Sequence, residues 1–133
     1  MRISASYTCS EEEADARKTV KEIEKAKAHS MALNLRENEN CKKAVDKHMK
    51  VFGKLSVLVN NSMTSPISTF DVVEKTCRTN VLSIFVMCGY ALPHMKRGAS
   101  IVNSSSVARY VGNPQLVDYS ATKGAVARFT RLL

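Results

Sequence analysis

The sequence of 133 residues lacks any apolar run long enough to cross a lipid bilayer. Its longest apolar-leaning stretch, at 81–93, is shorter than the roughly 20 residues that a transmembrane helix needs. A signal peptide is not expected either, because three glutamates at 11–13 follow a short polar start. The chain is therefore expected to lie in the cytoplasm, without membrane contact.

Cysteine is scarce and irregularly spaced. The four cysteines are Cys9, Cys41, Cys77 and Cys88. No two of them show the C-x-x-C spacing of a zinc site or a redox dithiol, so neither is expected. Free thiols in a reducing compartment are the default for such a chain.

Acidic residues are also few, since 12 Asp and Glu stand against 20 Lys and Arg, for a net charge of +8. Such an excess can favour nucleic acid or another phosphate-bearing ligand. The basic residues are nevertheless scattered among glutamates at 17–27 and recur along 42–50, which is typical of solvated helix faces. No motif combines basic and aromatic residues, so nucleic acid is not expected as a partner.

The hydrophobic pattern indicates alternating strands and helices in one domain over residues 1–133. Strands are predicted at 2–7, 29–35, 55–61 and 99–106. Helices are predicted at 10–27, 37–52, 71–96 and from 116 to the last residue. This alternation favours an α/β fold with a parallel sheet and helices on both faces. The strand at 55–61 is apolar on both sides, as in a strand covered on both faces.

Polar residues follow three of the predicted strands, at the point where each strand ends. They are Asn34, Asn60, Asn61, Ser104, Ser105 and Ser106. In open α/β sheets ligands bind outside the carboxyl ends of the strands. The sequence therefore concentrates its candidate chemistry on one edge of the sheet.

A Tyr-Lys pair near the end of the sequence is the strongest candidate for catalysis. Tyr119 and Lys123 are four residues apart, so they share one face of a helix. An ammonium beside a phenol stabilises the phenolate, which makes Tyr119 a candidate proton donor or acceptor. Ser106 could bind the oxygen of a carbonyl that Tyr119 protonates. Taken alone, a Tyr-Lys pair at this spacing is more often a surface contact.

Asn80 is a polar residue within an otherwise apolar helical stretch. A buried amide needs hydrogen-bond partners. Asn80 is therefore either a satisfied core residue or part of a functional network, and the sequence leaves both readings open.

Four motifs together resemble the short-chain dehydrogenase/reductase family. They are LVNN at 58–61, Asn80, IVNSSS at 101–106 and YSATK at 119–123. The sequence DYSATKGA after GNP is most similar to the glucose-dehydrogenase-like and ketoreductase-like branches. The resemblance implies a Rossmann-like three-layer sandwich that binds NAD or NADP and transfers hydride to or from a carbonyl or secondary alcohol.

The resemblance also implies roles for single residues. Tyr119 would be the general acid/base, and Lys123 would hydrogen-bond the nicotinamide ribose. Ser106 would orient the small-molecule substrate, and Asn80 would hold a water in a proton relay. Asn60 would line the cofactor site, and Asn34 falls where the family usually has an aspartate that touches the adenine.

Compared with the family, the chain is expected to be truncated at both ends. None of its five glycines forms the family's G-x-x-x-G-x-G turn, which cradles the cofactor diphosphate. The first strand, which carries that turn, and the last strands would be missing, leaving a partial Rossmann-type domain. Since the family's first strand is central in the sheet, we expect strand 2–7 to shift and pair beside 55–59, closing the vacant lane.

Two functions are therefore expected from the sequence. One is an NAD(P)-dependent oxidoreductase. The alternative is a catalytically inactive truncated relative or gene fragment, which acts as an interaction module. The resemblance implies that helices near 78–95 and 116–133 form homo- or hetero-oligomers. The substrate and the choice between NAD and NADP are not assigned by the sequence.

Overall fold

The structure, a computed structural model, describes residues 2–7, 18, 21–22, 27–64 and 69–133. The strands are β1 (Arg2–Tyr7), β2 (Lys27–Ala32), β3 (Leu55–Asn60) and β4 (Met95–Asn103). The main helices are α1 (Asn38–Phe52), α2 (Phe70–Cys77), α3 (Ser83–Ala91) and α4 (Val117–Thr130). The α/β class is confirmed. The helix predicted at 10–27 lies mostly outside the described residues, although Lys18, Lys21 and Glu22 are helical and Lys27 already belongs to β2.

The strands form two parallel ribbons. β1 pairs with β2 from Arg2 opposite Lys27 to Tyr7 opposite Ala32, and β3 pairs with β4. The expectation that strand 2–7 closes against 55–59 is therefore wrong. Helix α1 contacts both β1 and β3, and among the described residues no strand fills the lane between the two ribbons.

The predicted boundaries fail around β4. The helix predicted to residue 96 ends at Ala91, and a 3₁₀ turn follows at Leu92–His94, where Pro93 cannot continue an α-helix. β4 then begins at Met95 and ends at Asn103, earlier than predicted at both ends. The register jumps from Leu55 opposite Met95 to Val57 opposite Ser100, because β4 contains a bulge with Gly98 at a φ of 90°. The bulge is the reason that this part of the sequence, Lys96, Arg97 and Gly98, resembles a loop.

The core lies on one side of the β3–β4 ribbon. One cluster joins α1 to α3 and β3 through Cys41, Ala44, Val45, Leu55, Met87 and Ala91. A second cluster joins Ile84, Cys88 and Val126 to the inner side of the ribbon, where Leu58 and Ile101 pack. On the outer side Val57 and Val59 remain 55% and 59% exposed. The expectation that both faces of β3 are covered is therefore wrong within the described part of the chain.

A wide helical turn interrupts the segment between α2 and α3. Residues Arg78–Leu82 form a π-helical turn, and Asn80 at its centre is 0% exposed. The Asn80 amide accepts a hydrogen bond from the Thr64 N–H at 2.8 Å and donates to the Thr64 carbonyl at 2.9 Å. It also donates to Thr122 Oγ1 at 3.2 Å. Asn80 thus joins the segment after β3 to α4.

None of the helices described is both long and apolar enough to cross a membrane.

The open lane predicts an alternating pattern of hydrogen exchange along β3. In a strand that is paired on one side, alternate amides point to the partner and the others point outward. We expect neighbouring amides of residues 55–60 to differ in exchange rate by on the order of 100-fold. Residue-resolved hydrogen exchange measures this, with the continuous helical amides of 44–49 as the control. Uniform protection along β3 would contradict an open lane.

The Asn80 hydrogen bonds predict a large loss of stability on truncation. Asn80→Ala leaves the partly buried N–H and carbonyl of Thr64 without their amide partner, so the free energy of unfolding should fall by about 2–4 kcal/mol. The matched control is Asn113→Ala, because Asn113 accepts one exposed hydrogen bond from the Gln115 N–H, and it should cost less than about 1 kcal/mol. Urea unfolding compares the two variants. Equal losses would show that the Asn80 bonds do not stabilise the fold.

Candidate active site

The carboxyl ends of β3 and β4 lie side by side, as predicted. Asn60 closes β3 opposite Asn103 at the end of β4. Asn60 Nδ2 donates to Asn103 Oδ1 at 2.8 Å, and the Ser104 N–H donates to the Asn60 carbonyl at 2.9 Å. The polar residues that follow the two strands therefore share one edge of the ribbon.

An amide pair fixes this edge to the helices behind it. Asn60 Nδ2 also approaches Cys88 Sγ on α3 at 3.5 Å, and Asn103 Nδ2 donates to Thr130 Oγ1 on α4 at 3.0 Å. Burial raises the pKa of the Cys88 thiol, and the hydrogen bond from Asn60 opposes that rise. Sequence reasoning assigns no role to Asn103, although this residue stands inside one of the motifs, because its partners are distant in the chain.

Lys123 is the most deeply buried charged residue among those described, with 1% of its surface exposed. Its Nζ donates to the Ser104 carbonyl at 2.8 Å, and Ser105 Oγ donates to the Lys123 carbonyl at 3.2 Å. Burial lowers the pKa of Lys123, because the charged form loses hydration. These two bonds attach the loop that follows β4, residues 104–106, to α4.

Tyr119 lies beside this ammonium. The Lys123 Nζ is 5.6 Å from the centroid of the Tyr119 ring, and only 7% of Tyr119 is exposed. The reading of the pair as a surface contact is therefore excluded, because both residues are buried. A buried phenol next to a buried ammonium is an arrangement that can exchange a proton with a bound ligand.

Asn80 reaches this pair through one intermediate residue. Thr122 Oγ1 accepts from Asn80 Nδ2 and donates to the Tyr119 carbonyl at 2.7 Å. Asn80 has protein partners for its amide, as expected of a satisfied core residue. Thr122 and Thr64 were not singled out in the sequence, because a threonine carries no signal of a partner that is far away in the chain.

Ser106 lies on the same loop as Ser104 and caps a short turn. Its Oγ accepts from the Ala108 N–H at 3.2 Å, at the start of the 3₁₀ turn Val107–Arg109. The two residues before Ser106, which are Ser104 and Ser105, attach this loop to α4. Its role toward a substrate stays a prediction.

Asn34 is engaged locally, on the loop that follows β2. Its Oδ1 accepts from the N–H and Nε of Arg36 at 3.2 and 3.0 Å, and its carbonyl accepts from Asn40 Nδ2 at 3.0 Å. These bonds order the chain before α1. In the described residues Asn34 is not joined by a hydrogen bond to the Tyr119–Lys123 pair.

The ammonium of Lys123 retains capacity for a ligand. A lysine ammonium has three N–H donors, and the described residues supply one acceptor, the Ser104 carbonyl. Hydroxyl or carbonyl oxygens of a bound molecule can take the others. The described part of the chain contains no group of three or more His, Cys, Asp and Glu that could hold a metal ion.

The sequence matches known proteins over nearly its whole length. Residues 4–133 match the family model described as short chain dehydrogenase. The chain is 38% identical to "NADPH-dependent aldehyde reductase 1, chloroplastic" of Arabidopsis thaliana, over 97% of this chain and 49% of that protein. It is 37% identical to "Glucose and ribitol dehydrogenase" of Daucus carota, over 97% of this chain and 48% of that protein. The chain spans about half the length of the curated relatives it matches.

Solved structures agree on the fold. A blue fluorescent protein from a metagenomic library, in complex with NADPH, superposes with a TM-score of 0.89 at 27% identity, over 98% of this chain and 56% of that one. A short chain dehydrogenase from Burkholderia cenocepacia J2315, in complex with NADP, gives 0.88 at 26% identity, also over 98% and 56%. Both ribbons therefore occupy Rossmann-like positions, and the chain belongs to the short-chain dehydrogenase/reductase family.

Proposed function

We propose that this chain carries the reacting half of an NAD(P)-dependent oxidoreductase site, which interconverts a carbonyl and a secondary alcohol. The observation that carries the proposal is the buried Lys123 ammonium, which lies 5.6 Å from the Tyr119 ring and is held by the Ser104 carbonyl. Burying an ammonium away from water costs free energy, and buried charged groups of this kind are typical of functional sites.

The residues at this edge fit the nicotinamide-ribose end of the cofactor. Lys123 has N–H donors for ribose hydroxyls, and Asn60 would line the site at the end of β3. When bound, NAD(P) supplies or accepts the hydride. Tyr119 gives a proton to the carbonyl oxygen of the substrate, or takes one from the alcohol, and Ser106 orients that oxygen. Asn80 keeps the turn of α4 that carries Tyr119 in place through Thr122, and we retain its predicted role in holding a relay water.

The fit ends at the diphosphate. The five glycines of the sequence form no G-x-x-x-G-x-G turn, and Asn34 already accepts two hydrogen bonds from Arg36. Without a backbone cradle, these residues bind the cofactor through its nicotinamide end. We therefore expect weaker binding than an intact glycine-rich turn provides.

The names of two relatives indicate which cofactor and which substrates to examine first. One relative is named as an NADPH-dependent aldehyde reductase and another as a glucose and ribitol dehydrogenase. We propose NADPH with small aldehydes and polyols as the first cofactor and substrates to examine. We also propose that residues 1–133 form one partial Rossmann-type domain, and that it works in the cytoplasm, where the thiols of Cys41, Cys77 and Cys88 stay reduced.

Replacing the phenol should abolish turnover without abolishing cofactor binding. Tyr119→Phe removes only the hydroxyl, so kcat for NADPH-dependent aldehyde reduction should fall by at least about 100-fold. The matched control is Tyr110→Phe, because Tyr110 is 70% exposed and should leave kcat unchanged. NADPH absorbance measures the rate, and NADPH fluorescence measures binding. If Tyr119→Phe turned over as fast as the unmodified chain, the phenol would not be the proton donor.

A second candidate is an interaction module, which a specific observation favours. Phe85 on α3 stacks on Phe129 of α4 with ring centroids 3.9 Å apart, yet 44% of Phe85 is exposed. Leu82 and Leu92 on the same helical segment are 48% and 46% exposed. Exposed apolar side chains on neighbouring helices are typical of a protein–protein interface. This candidate pairs the chain with another copy or with an intact relative.

Mixed sedimentation tests this second candidate. The chain should co-sediment with an intact relative such as the carrot glucose and ribitol dehydrogenase, or with itself, and Phe85→Glu should weaken the association by at least about tenfold because it buries a charge. Val51→Glu is the control, since Val51 is 53% exposed on α1 and should have no effect. If Phe85→Glu and Val51→Glu behaved alike, this helical surface would not be the interface.

A further inference from the structure

Ser104 is held at three points, through its N–H, its hydroxyl and its carbonyl. The N–H donates to the Asn60 carbonyl at 2.9 Å, and Oγ donates to Asn61 Oδ1 at 2.5 Å. The carbonyl accepts from Lys123 Nζ at 2.8 Å. One residue of the loop 104–106 therefore links the end of β3 to the buried ammonium of α4.

Two of these bonds fix the direction of the Ser104 carbonyl. The N–H and the hydroxyl of Ser104 are bonded to consecutive residues at the end of the neighbouring strand, Asn60 and Asn61. A residue held through both its amide and its side chain keeps its Cα in one orientation, so only rotation about the Cα–C bond can still turn its carbonyl. The bond to Asn61 joins two side chains, and substitution can remove it while the backbone pairing of β3 and β4 stays in place.

Lys123 depends on this carbonyl to remain charged. Only 1% of Lys123 is exposed, and burial lowers its pKa. A hydrogen bond to the charged form opposes that effect, and the described residues supply one acceptor, the Ser104 carbonyl. A shift of this carbonyl would therefore make the ammonium lose its proton more readily.

Tyr119 is the titratable side chain that lies beside this ammonium, with 5.6 Å between Nζ and the ring centroid. Elements that pack against α4 also carry charged side chains, and those described are exposed: Glu74, Lys75, Arg78, Lys96, Arg97 and Arg109. On α4 itself, Asp118 is buried and precedes Tyr119. The protonation of Lys123 is therefore governed by its burial and by its one acceptor, and it acts most directly on Tyr119.

A bond between two side chains at an exposed edge can also serve only to close a loop. The loop 104–106 is already closed, however, by the Ser104 N–H and by the Ser105 hydroxyl, which donates to the Lys123 carbonyl at 3.2 Å. Asn61 adds its bond to the one residue whose carbonyl faces the ammonium. This placement favours a role in positioning Lys123.

We propose that Asn61 is a positioning residue, which acts through the hydroxyl of Ser104 to hold the carbonyl that keeps the Lys123 ammonium charged beside Tyr119. Its catalytic consequence rests on the proposed oxidoreductase function, in which the ammonium stabilises the phenolate. The positioning itself does not rest on that function, because the bonds form within the chain.

The main test measures the protonation of Lys123 in the full chain, without cofactor or substrate. NMR titration of isotope-labelled lysine side chains gives the protonation equilibrium constant, and Lys123→Arg identifies the resonance of Lys123. Asn61→Ala removes the acceptor of the Ser104 hydroxyl and frees the carbonyl to turn, so the constant for Lys123 should fall at least about threefold. The resonance of Lys43, which is exposed on α1, should titrate as before.

A double-variant cycle separates this bond from other effects. Ser104→Ala should lower the constant for Lys123 by the same factor as Asn61→Ala, and the two substitutions together should lower it no further, because both remove one bond. Ser104→Thr keeps a hydroxyl and should restore the constant. Asn113→Ala is the matched control, since Asn113 accepts one exposed bond from the Gln115 N–H, and it should change nothing. Circular dichroism confirms that each variant is folded.

The pH dependence of polyol oxidation tests the consequence for the proposed function. In this direction Tyr119 must be a phenolate to take the proton, and a weaker ammonium stabilises the phenolate less. The acid limb of kcat/KM with NADP and a small polyol should therefore move to higher pH in Asn61→Ala and stay in place in Asn113→Ala. An unmoved limb, with Lys123 protonation weakened, would remove the proton step from the proposed function and would leave the positioning of Lys123 by Asn61 supported.

Three results would overturn the assignment of Asn61. They are an unchanged protonation constant of Lys123 in Asn61→Ala, additive losses in the double variant, and an equal loss in Asn113→Ala. None of them requires turnover, so a failure of this assignment is distinguishable from a failure of the oxidoreductase function.

Discussion

The hydrogen bond from the Lys123 ammonium to the Ser104 carbonyl holds the candidate site together. It fastens α4 to the loop that leaves β4, and it does so with a charge that is almost fully removed from water. Ser105 adds a second bond to the same turn of α4. Burying a cation costs free energy unless an oxygen accepts a hydrogen bond from it. If the loop and the helix separated, the ammonium would either become exposed or stay buried without its acceptor. Tyr119 and Ser106 stand on the two segments that these bonds join.

Behind that attachment, the fold depends on helices more than on a continuous sheet. α1 packs across two ribbons that do not pair with each other in the described residues, and α3 and α4 cover the inner face of the β3–β4 ribbon. Among the described residues, the valine-rich outer face of this ribbon remains exposed. The candidate site residues nevertheless lie on adjacent elements, because they are positioned by the ends of β3 and β4 and by α4.

Local features of the fold could be predicted from the sequence, and features set by distant contacts could not. α1 and its end at Gly53, which has a φ of 72°, follow from hydrophobic spacing and from a glycine in the left-handed region. The Tyr119–Lys123 face follows from helical periodicity. By contrast, the bulge at Gly98 resembles a loop in the sequence. The pairing of β1 with β2 depends on tertiary packing, which local residue preferences do not encode. For the same reason, the bonds of Asn80 to Thr64 and of Asn103 to Thr130 carry no local signal.

The π-helical turn has a consequence for how this segment can change in length. Thr76, Asn80, Ile84 and Cys88 are all nearly inaccessible to solvent, and they are spaced by four residues. In a regular α-helix, residues at this spacing drift by about 40° per step, so Cys88 would be rotated by about 120° from Thr76. One additional residue in a wide turn removes about 100° of that rotation and keeps all four on one side. Deletion of the additional residue between Thr76 and Ile84 would therefore restore a regular helix without rotating α3, whereas insertion of a further residue would turn the packed side of α3 toward solvent.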